Sequence, residues 1–573
     1  MRLRTVASRS RKGCITCKIR RVKCDEEKPS CHRCRSTGRK CDGYGPPSAL
    51  SASTTNNQTK DMHIIQHTPQ LTQAIRMWML PSFDRLLTET EYRSLEFFHL
   101  QTVSCFGTKA GDFLLRAAYH DPSIRLAAMA LGSLHRTFLL EGYDQSRQQK
   151  TQFALRQYNS AIRQTLNLFS RMPEGSTDVL LSMCILFFCF ESLQGHFKMA
   201  VQHVISGLRI LKQQESRCQT EGKDALLPSN IIRIMFNTIE SQILEIDWGL
   251  TIPVEVQLAL LSPSQLPSVR MAEETPCTLE GISESFGFLY NQFLKLLALL
   301  SISEHSEDGT VSETLAQVES HYLNVKRDIY AWSATLDRYL KTHPVDERER
   351  DDHQASNMKI LEMWRIMMGI VLKVEGPLFS PSTFDKYTSD FSIVVSLAEK
   401  IISLTTPTHS RPNSDIHDCL DEEGKSRPLM LKEETCSPTR PASTSYIPIL
   451  PKSDPSLPLS CSFSVSLGIL TPLWIVATSC RDSQTRYRAI NLMRRSRRRE
   501  GIWDSNLYSR LAMRVVSMEE QAAGIQEGAE YRAADIPVSA RVKAMTGRFC
   551  DGREGKVEFF RDGFKLSEET VSW

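Results

Sequence analysis

Six cysteines near the start of the chain, Cys14, Cys17, Cys24, Cys31, Cys34 and Cys41, are spaced C-x2-C-x6-C-x6-C-x2-C-x6-C. The triplet C-x2-C-x6-C thus occurs twice within 28 residues. Thiolates are zinc ligands, and a structural zinc site is tetrahedral with four of them. Two such ions call for eight ligand positions, so six cysteines suffice only if two are shared. The most symmetrical choice is the first cysteine of each triplet. Cys14 and Cys31 then bridge, Cys17 and Cys24 complete one ion, and Cys34 and Cys41 complete the other. One C-x2-C pair alone is a weak signal, but two matching triplets with equal spacing are a strong one.

The basic residues around these cysteines favour the thiolate over the thiol and so aid metal capture. Residues 1–42 carry 14 Lys and Arg against 4 Asp and Glu, an excess of ten positive charges. The whole chain is only +4, so the remaining residues are six charges negative. With six thiolates and two zinc ions bound, the head still carries about +8. A concentrated positive patch is the electrostatic footprint of nucleic-acid binding. Such a small unit has almost no apolar core, so metal must supply most of its folding free energy, on the order of 10 kcal/mol. No apolar segment follows Met1-Arg-Leu-Arg, which implies a reducing compartment where the sixteen cysteines are thiols or ligands.

With the ligands at the ends of Cys17 to Cys24, that segment is expected to be a short helix. Lys18, Arg20, Arg21 and Lys23 are its basic side chains, while Ile19 and Val22, three apart, turn toward the cluster. Arg20 and Arg21 then face a groove, and an arginine fork suits O6 and N7 of guanine. Arg11, Lys12 and Arg39 are assigned to phosphate. Arg9 to Lys12 is also the better nuclear-import candidate.

The head resembles the fungal binuclear zinc cluster transcription factors (Zn(2)-C6 type). The resemblance runs through Gly13-Cys-Ile-Thr-Cys-Lys-Ile-Arg-Arg-Val-Lys-Cys, Asp25-Glu-Glu-Lys-Pro-Ser-Cys and Cys34 to Cys41. It implies that the first and fourth cysteines bridge two structural zinc ions. It also implies that the basic helix enters the major groove at a CGG triplet, with Arg20 and Arg21 at the base-contacting positions and Pro29 turning the loop between the halves. Nuclear location and transcription by RNA polymerase II follow from the same resemblance, with double-stranded DNA as partner beside the transcription machinery or co-regulators. The body resembles the family's helical regulatory region, through Ala489-Ile-Asn-Leu-Met-Arg-Arg-Ser-Arg-Arg-Arg-Glu-Gly-Ile-Trp-Asp-Ser and the segments Leu186 to Leu193 and His203 to Leu211. Control of a secondary-metabolite gene cluster is an expectation from family habit.

The elements behind the head read as mostly α. A chain of 573 residues exceeds one ordinary core. Residues 1–43 form the Zn(2)-C6 DNA-binding domain. Residues 44–74, polar and opened by Gly-Pro-Pro, read as a disordered linker. No a/d heptads run through it, so a monomer or a body-mediated dimer is expected rather than a coiled coil. Residues 75–404 are the first part of a large all-helical regulatory domain: Leu126, Met129, Ala130 and Leu134 share one face, and Val204, Ile205, Leu208 and Leu211 another. Val179 to Phe190 is apolar all round and belongs at a bundle centre, with Thr177 or Asp178 placed to cap it. Nine prolines mark 405–460 as a disordered insertion. Residues 461–573 resume the helical domain, with short strands around Val557-Glu-Phe-Phe.

Other constellations have a plainer reading. Pro455 to Cys480 lacks charge, but its prolines and hydroxyls argue for a core helix near Leu467 to Ala477 and against a membrane span. The five arginines within Arg494 to Arg499 read as a solvated turn between helices. Cys184, Cys189, His196 and His203 read as structural residues rather than a second metal site, and His32 as exposed. No G-x-S-x-G, G-x-x-x-x-G-K-[ST], H-E-x-x-H or helix-opening G-x-G-x-x-G occurs, so no catalytic residue is assigned and the chain is not read as an enzyme. The competing function is a zinc-dependent protein- or RNA-interaction module on a helical scaffold.

Overall fold

The computed structural model describes residues 14, 16–17, 22–38, 40–41, 87–139, 145–169, 177–221, 230–246, 278–303, 311–343, 352–374, 381–405, 461–526, 528–550 and 552–573. The chain divides into two compact units, Met1–Pro81 and Ser82–Trp573. The expected linker at 44–74 and, apart from its first residue Thr405, the insertion at 405–460 lie outside the described residues.

In the first unit the described regular element is α1, His32–Ser36. Cys31 is its N-cap, and its Sγ accepts the Cys34 N–H. The helix stops at Thr37 and Gly38, where Thr37 Oγ1 donates back to the Arg33 carbonyl at 2.8 Å and Gly38 takes a φ of 66°.

The second unit is helical over most of its described length. Its elements begin with α2 (Glu89–Phe97), α3 (Thr108–His120), α4 (Pro122–Leu139), α5 (Gln145–Phe169), α6 (Thr177–Gln194) and α7 (Phe197–Glu221). They continue with α8 (Asn230–Ile246), α9 (Leu279–Ser303), α10 (Val311–Thr342), α11 (Asp352–Val371) and α12 (Thr388–Thr405). Thr88 starts α2 with a reciprocal capping box to Glu91. As its composition requires, α6 lies at the centre, its Leu181, Ile185, Phe188, Cys189 and Phe190 sealed between α4 and α7. Thr177 and Asp178 fall inside its first turn, so the capping position precedes them and lies outside the described residues. This helix is long and apolar enough to cross a membrane, yet it is largely buried in the protein. Close packing of α4 on α2 depends on Gly132, because a Cβ there would sit 2.3 Å from the Ser94 carbonyl oxygen. Farther along, Trp332 is fully buried, donates Nε1–H to the Ile282 carbonyl at 2.9 Å and stacks on Phe286.

The last part mixes classes. A strand β1 (Ser462–Ser464) precedes α13 (Leu470–Ser479) and α14 (Ser483–Ser496); β2 (Arg498–Glu500), β3 (Trp503–Asp504) and α15 (Ser505–Ala523) follow. The apolar stretch before Cys480 is indeed the buried helix α13. The order β1-β2-β3 pairs β1 parallel to β2 and β2 antiparallel to β3. Asp482 and Asp504 cap α14 and α15 with side-chain bonds to first-turn N–H groups. The strand signal near Val557 extends into an antiparallel meander of β4 (Ala544–Cys550), β5 (Glu554–Arg561) and β6 (Phe564–Ser572). Arg514 of α15 reaches Glu569 at 2.6 Å and Arg510 the Ser572 carbonyl at 2.8 Å, tying meander to helix.

The solvated-turn reading of Arg494 to Arg499 is corrected. Arg495 and Arg497 are exposed, but Arg498 and Arg499 are buried. Arg499 pairs with Asp504 and the Ser192 carbonyl, and Arg498 with Glu500 at 3.4 Å. Acidic partners two and five residues downstream neutralise these guanidiniums, which allows burial.

Candidate metal centre and nucleic-acid interface

All six cysteines of the head come together. Cys14, Cys17, Cys24, Cys31 and Cys34 are buried and Cys41 is half-buried. Two groups of four sulfurs each lie within 4.8 Å, Cys14-Cys17-Cys24-Cys31 and Cys14-Cys31-Cys34-Cys41. The groups share Cys14 and Cys31, the two cysteines that ligand counting makes common to both. Their Sγ atoms are 3.5 Å apart; Cys17–Cys31 is 3.7 Å and Cys14–Cys34 is 3.9 Å. Four thiolates around one zinc at 2.3 Å would be about 3.8 Å from one another, so the donor set fits a tetrahedral ion.

The backbone repeats with the sequence. Cys17 N–H donates to Cys14 Sγ at 3.4 Å, and in the other half Cys34 N–H donates to Cys31 Sγ at 3.3 Å. Cys24 Sγ accepts from both Cys14 N–H and Glu26 N–H at 3.4 Å. Burial pushes the thiols of Cys14, Cys17 and Cys31 up. At Cys24 burial acts the same way, but the Cys14 and Glu26 N–H groups outweigh it and bring the thiol to about 7. Packed thiolates without a cation would repel one another in a site shielded from water. The chemistry of the set therefore demands a thiophilic cation, as soft sulfur donors select zinc.

A residue that sequence reasoning missed holds the halves together. Asp25 follows Cys24, and its carboxylate accepts Glu27 N–H at 3.2 Å, His32 N–H at 2.9 Å and Arg33 N–H at 2.7 Å. Desolvation opposes ionisation, but these three donors prevail and hold its carboxyl below the usual range. A contact seven residues along a loop leaves no periodic trace in a sequence.

Of the residues assigned to DNA, Lys23 is described and exposed. Lys18, Arg20, Arg21, Arg11, Lys12 and Arg39 lie outside the described residues. Val22 N–H bonds to the Cys17 carbonyl at 3.1 Å, and Val22 packs against the cysteine cluster as its spacing predicts. His32, Arg33, Arg35 and Lys40 are exposed, with Arg35 paired to Glu27 at 2.9 Å. Arg33, Arg35 and Lys40 enlarge the basic surface beyond the residues the sequence singled out.

In the body, Cys184, Cys189, His196 and His203 form no group able to hold a metal among the described residues. Burial raises the Cys184 thiol to about 12 and pushes the Cys189 thiol well above the ordinary range. His196 Nδ1 bonds to Glu191 at 2.7 Å and His203 Nε2 to Tyr158 Oη at 3.2 Å. These are satisfied, partly buried structural contacts.

The fungal Zn(2)-Cys(6) binuclear cluster domain matches residues 12–50. Across 99% of this chain and 97% of the relative, the sequence is 42% identical to the aspercryptin biosynthesis cluster-specific transcription regulator of Emericella nidulans. A transcription regulator of Purpureocillium lilacinum is 25% identical over 38% of this chain and 52% of its own length. In a Schizosaccharomyces pombe transcriptional regulatory protein, the likeness is 56% over 6% of this chain and 7% of the relative. No solved structure matches the chain. A full-length relative and a matching metal domain lead to one conclusion: the chain belongs to the fungal Zn(2)-Cys(6) transcription regulators, DNA-binding proteins whose cluster holds two structural zinc ions.

Proposed function

We propose that this regulator reads CGG-like triplets in double-stranded DNA and controls a biosynthetic gene cluster from the nucleus. The observation that carries the reading is the pair of four-sulfur groups sharing Cys14 and Cys31. In this reading all six cysteines are ligands: Cys14, Cys17, Cys24 and Cys31 hold one zinc, and Cys14, Cys31, Cys34 and Cys41 the other. The metal supplies charge and cross-links that no apolar core of this size provides. Arg20 and Arg21 read guanine edges, Lys18 and Lys23 flank them, and Arg11, Lys12 and Arg39 grip phosphate. Similarity over almost the whole length to a cluster-specific regulator supports the pathway-level role. The body is the surface for co-regulators of RNA polymerase II transcription, and the protein acts as a monomer or a body-mediated dimer.

Base and phosphate contacts separate in a titration. An arginine bonded to guanine is worth about 1–3 kcal/mol of discrimination, whereas a phosphate contact weakens all sequences alike and changes the salt slope by about one. Zinc-loaded full-length protein is titrated with CGG-containing and scrambled duplexes at two salt concentrations. Arg21→Ala is expected to flatten the ratio of specific to non-specific affinity. Lys12→Ala is expected to keep that ratio while lowering both affinities. An unchanged ratio in both Arg20→Ala and Arg21→Ala overturns the assignment of the reading pair.

A further inference from the structure

The first turn of α1 presents backbone N–H groups with no partner inside the helix, as every helix start does. Two of them are taken by the first half of the cluster and one by the second. His32 N–H and Arg33 N–H go to the two carboxylate oxygens of Asp25, at 2.9 and 2.7 Å. Cys34 N–H goes to Cys31 Sγ at 3.3 Å, and the ordinary helical bonding starts with Arg35 N–H to the Cys31 carbonyl at 3.2 Å. Cys31 is therefore both the N-cap of α1 and one of the two sulfurs common to both metal groups. Asp25 is bonded by the chain to Cys24, a sulfur of the first group alone. Its carboxylate thus spans from the end of the first triplet to the start of the second.

We propose that Asp25 is a positioning residue for the shared sulfur of Cys31. By clasping His32 and Arg33 it fixes the direction of the α1 start, and with it the direction from which Cys31 Sγ meets both metal groups. This rests on the two-metal reading above, but concerns a residue that is not a ligand. The anionic carboxylate suits the role for two reasons. It accepts two diverging N–H groups on separate oxygens, which a single amide oxygen or hydroxyl does less well. It also lies at the positive end of the short helix. Glu27 provides the control, since it is an acid in the same loop whose bond runs to the exposed Arg35 side chain at 2.9 Å.

The test uses full-length protein loaded with zinc or with cobalt(II). Asp25→Asn, which turns one of the two acceptor oxygens into a donor, is expected to bind two ions at saturating metal and to release zinc to a competing chelator roughly fivefold faster, the loss of about one hydrogen bond. Its cobalt–thiolate absorption is expected to shift at full loading, where a change in stability alone leaves the spectrum in place. Asp25→Ser, whose one acceptor sits on a shorter side chain, is expected to release zinc at least as fast as Asp25→Asn. Glu27→Gln is expected to match the wild type in both readouts. Release and spectrum unchanged in Asp25→Asn overturn the proposal, as do equal changes in Glu27→Gln, which mark a general charge effect. Should Asp25→Asn fail to accumulate, wild-type behaviour of Asp25→Ser overturns it in the same way. One bound ion in the wild type overturns the two-metal reading instead, and so distinguishes the two failures.

Discussion

The zinc head and the C-terminal part of the body are both dense in arginine, and they treat its charge in opposite ways. In the head Lys23, Arg33, Arg35 and Lys40 are exposed around a cluster of sulfurs. In the body Arg481 and Arg486 are buried on the two oxygens of Glu519, each at 2.9 Å. Nearby, Arg541 grips both oxygens of Asp385 at 2.9 and 2.8 Å. Glu519 also accepts Val542 N–H at 3.0 Å, and Tyr531 links Arg486 to Glu520. A cation buried in the body has already exchanged water for a carboxylate. The head instead organises its interior with metal ligands, which leaves its cations at the surface for a polyanion. The arginine content of a segment is thus a poor guide to DNA contact unless the fate of the nearby acids is known.

Removing the interior of the head should have the largest effect. Cys14→Ala or Cys31→Ala is expected to abolish binding of both zinc ions and with it the folding free energy of the unit, on the order of 10 kcal/mol. Cys17→Ala is expected to damage one ion more than the other. Metal analysis and head-specific hydrogen exchange check this, and equal losses from all three contradict the sharing of Cys14 and Cys31. Far-UV dichroism of the body should be nearly unchanged when zinc is removed with a chelator, because its described core contains no metal group.

The converse break lies in the body. Glu519→Gln leaves two buried guanidiniums short of their charge partner, which should cost about 3–5 kcal/mol. The denaturation midpoint is expected to fall while zinc stoichiometry stays at two ions. Desolvation acts against ionised Glu519, but Arg486 and Arg481 hold its carboxyl below the ordinary range. Its contribution is present above the unfolded pKa and is lost as pH falls through the folded one.

Glu245 sharpens the contrast with an opposite sign. It is half-buried and accepts from three neutral donors, Tyr290 at 2.8 Å, Thr471 at 2.9 Å and the Trp503 indole at 2.7 Å. Burial pushes its carboxyl up to about 7, despite those donors and with Glu500 adding repulsion. A raised carboxyl stabilises the fold below its unfolded pKa, and that stability drains away as pH rises toward 7. The shift corresponds to about 3 kcal/mol. Unfolding of the wild type and Glu245→Gln at pH 5 and pH 8 should show a gap between them that changes across that interval. A pH-independent gap refutes the titration of Glu245.

Much of this contrast was legible from residues close together in the chain. The repeated cysteine triplet defined a metal unit, and the all-round apolar run Val179 to Phe190 announced a central helix. The burial of Arg499 was not legible, since one of its partners, the Ser192 carbonyl, is 307 residues away. Nor was the pairing of Ser462–Ser464 with Arg498–Glu500, where two short strands meet across an intervening pair of helices. Val557-Glu-Phe-Phe showed a strand but not its partners, because Phe564 to Ser572 is mostly exposed and lacks an apolar face. Asp25 acts on backbone groups alone, so side-chain patterning could not reveal it.

The most direct test is selection of bound sequences from a random duplex pool by the full-length protein, before and after zinc is removed with a chelator. Enrichment of a CGG-like triplet with two zinc ions bound, and its loss on chelation while the body stays helical, is the predicted result. Retention of no sequence by the zinc-loaded protein, or of the same sequence after chelation, would contradict it.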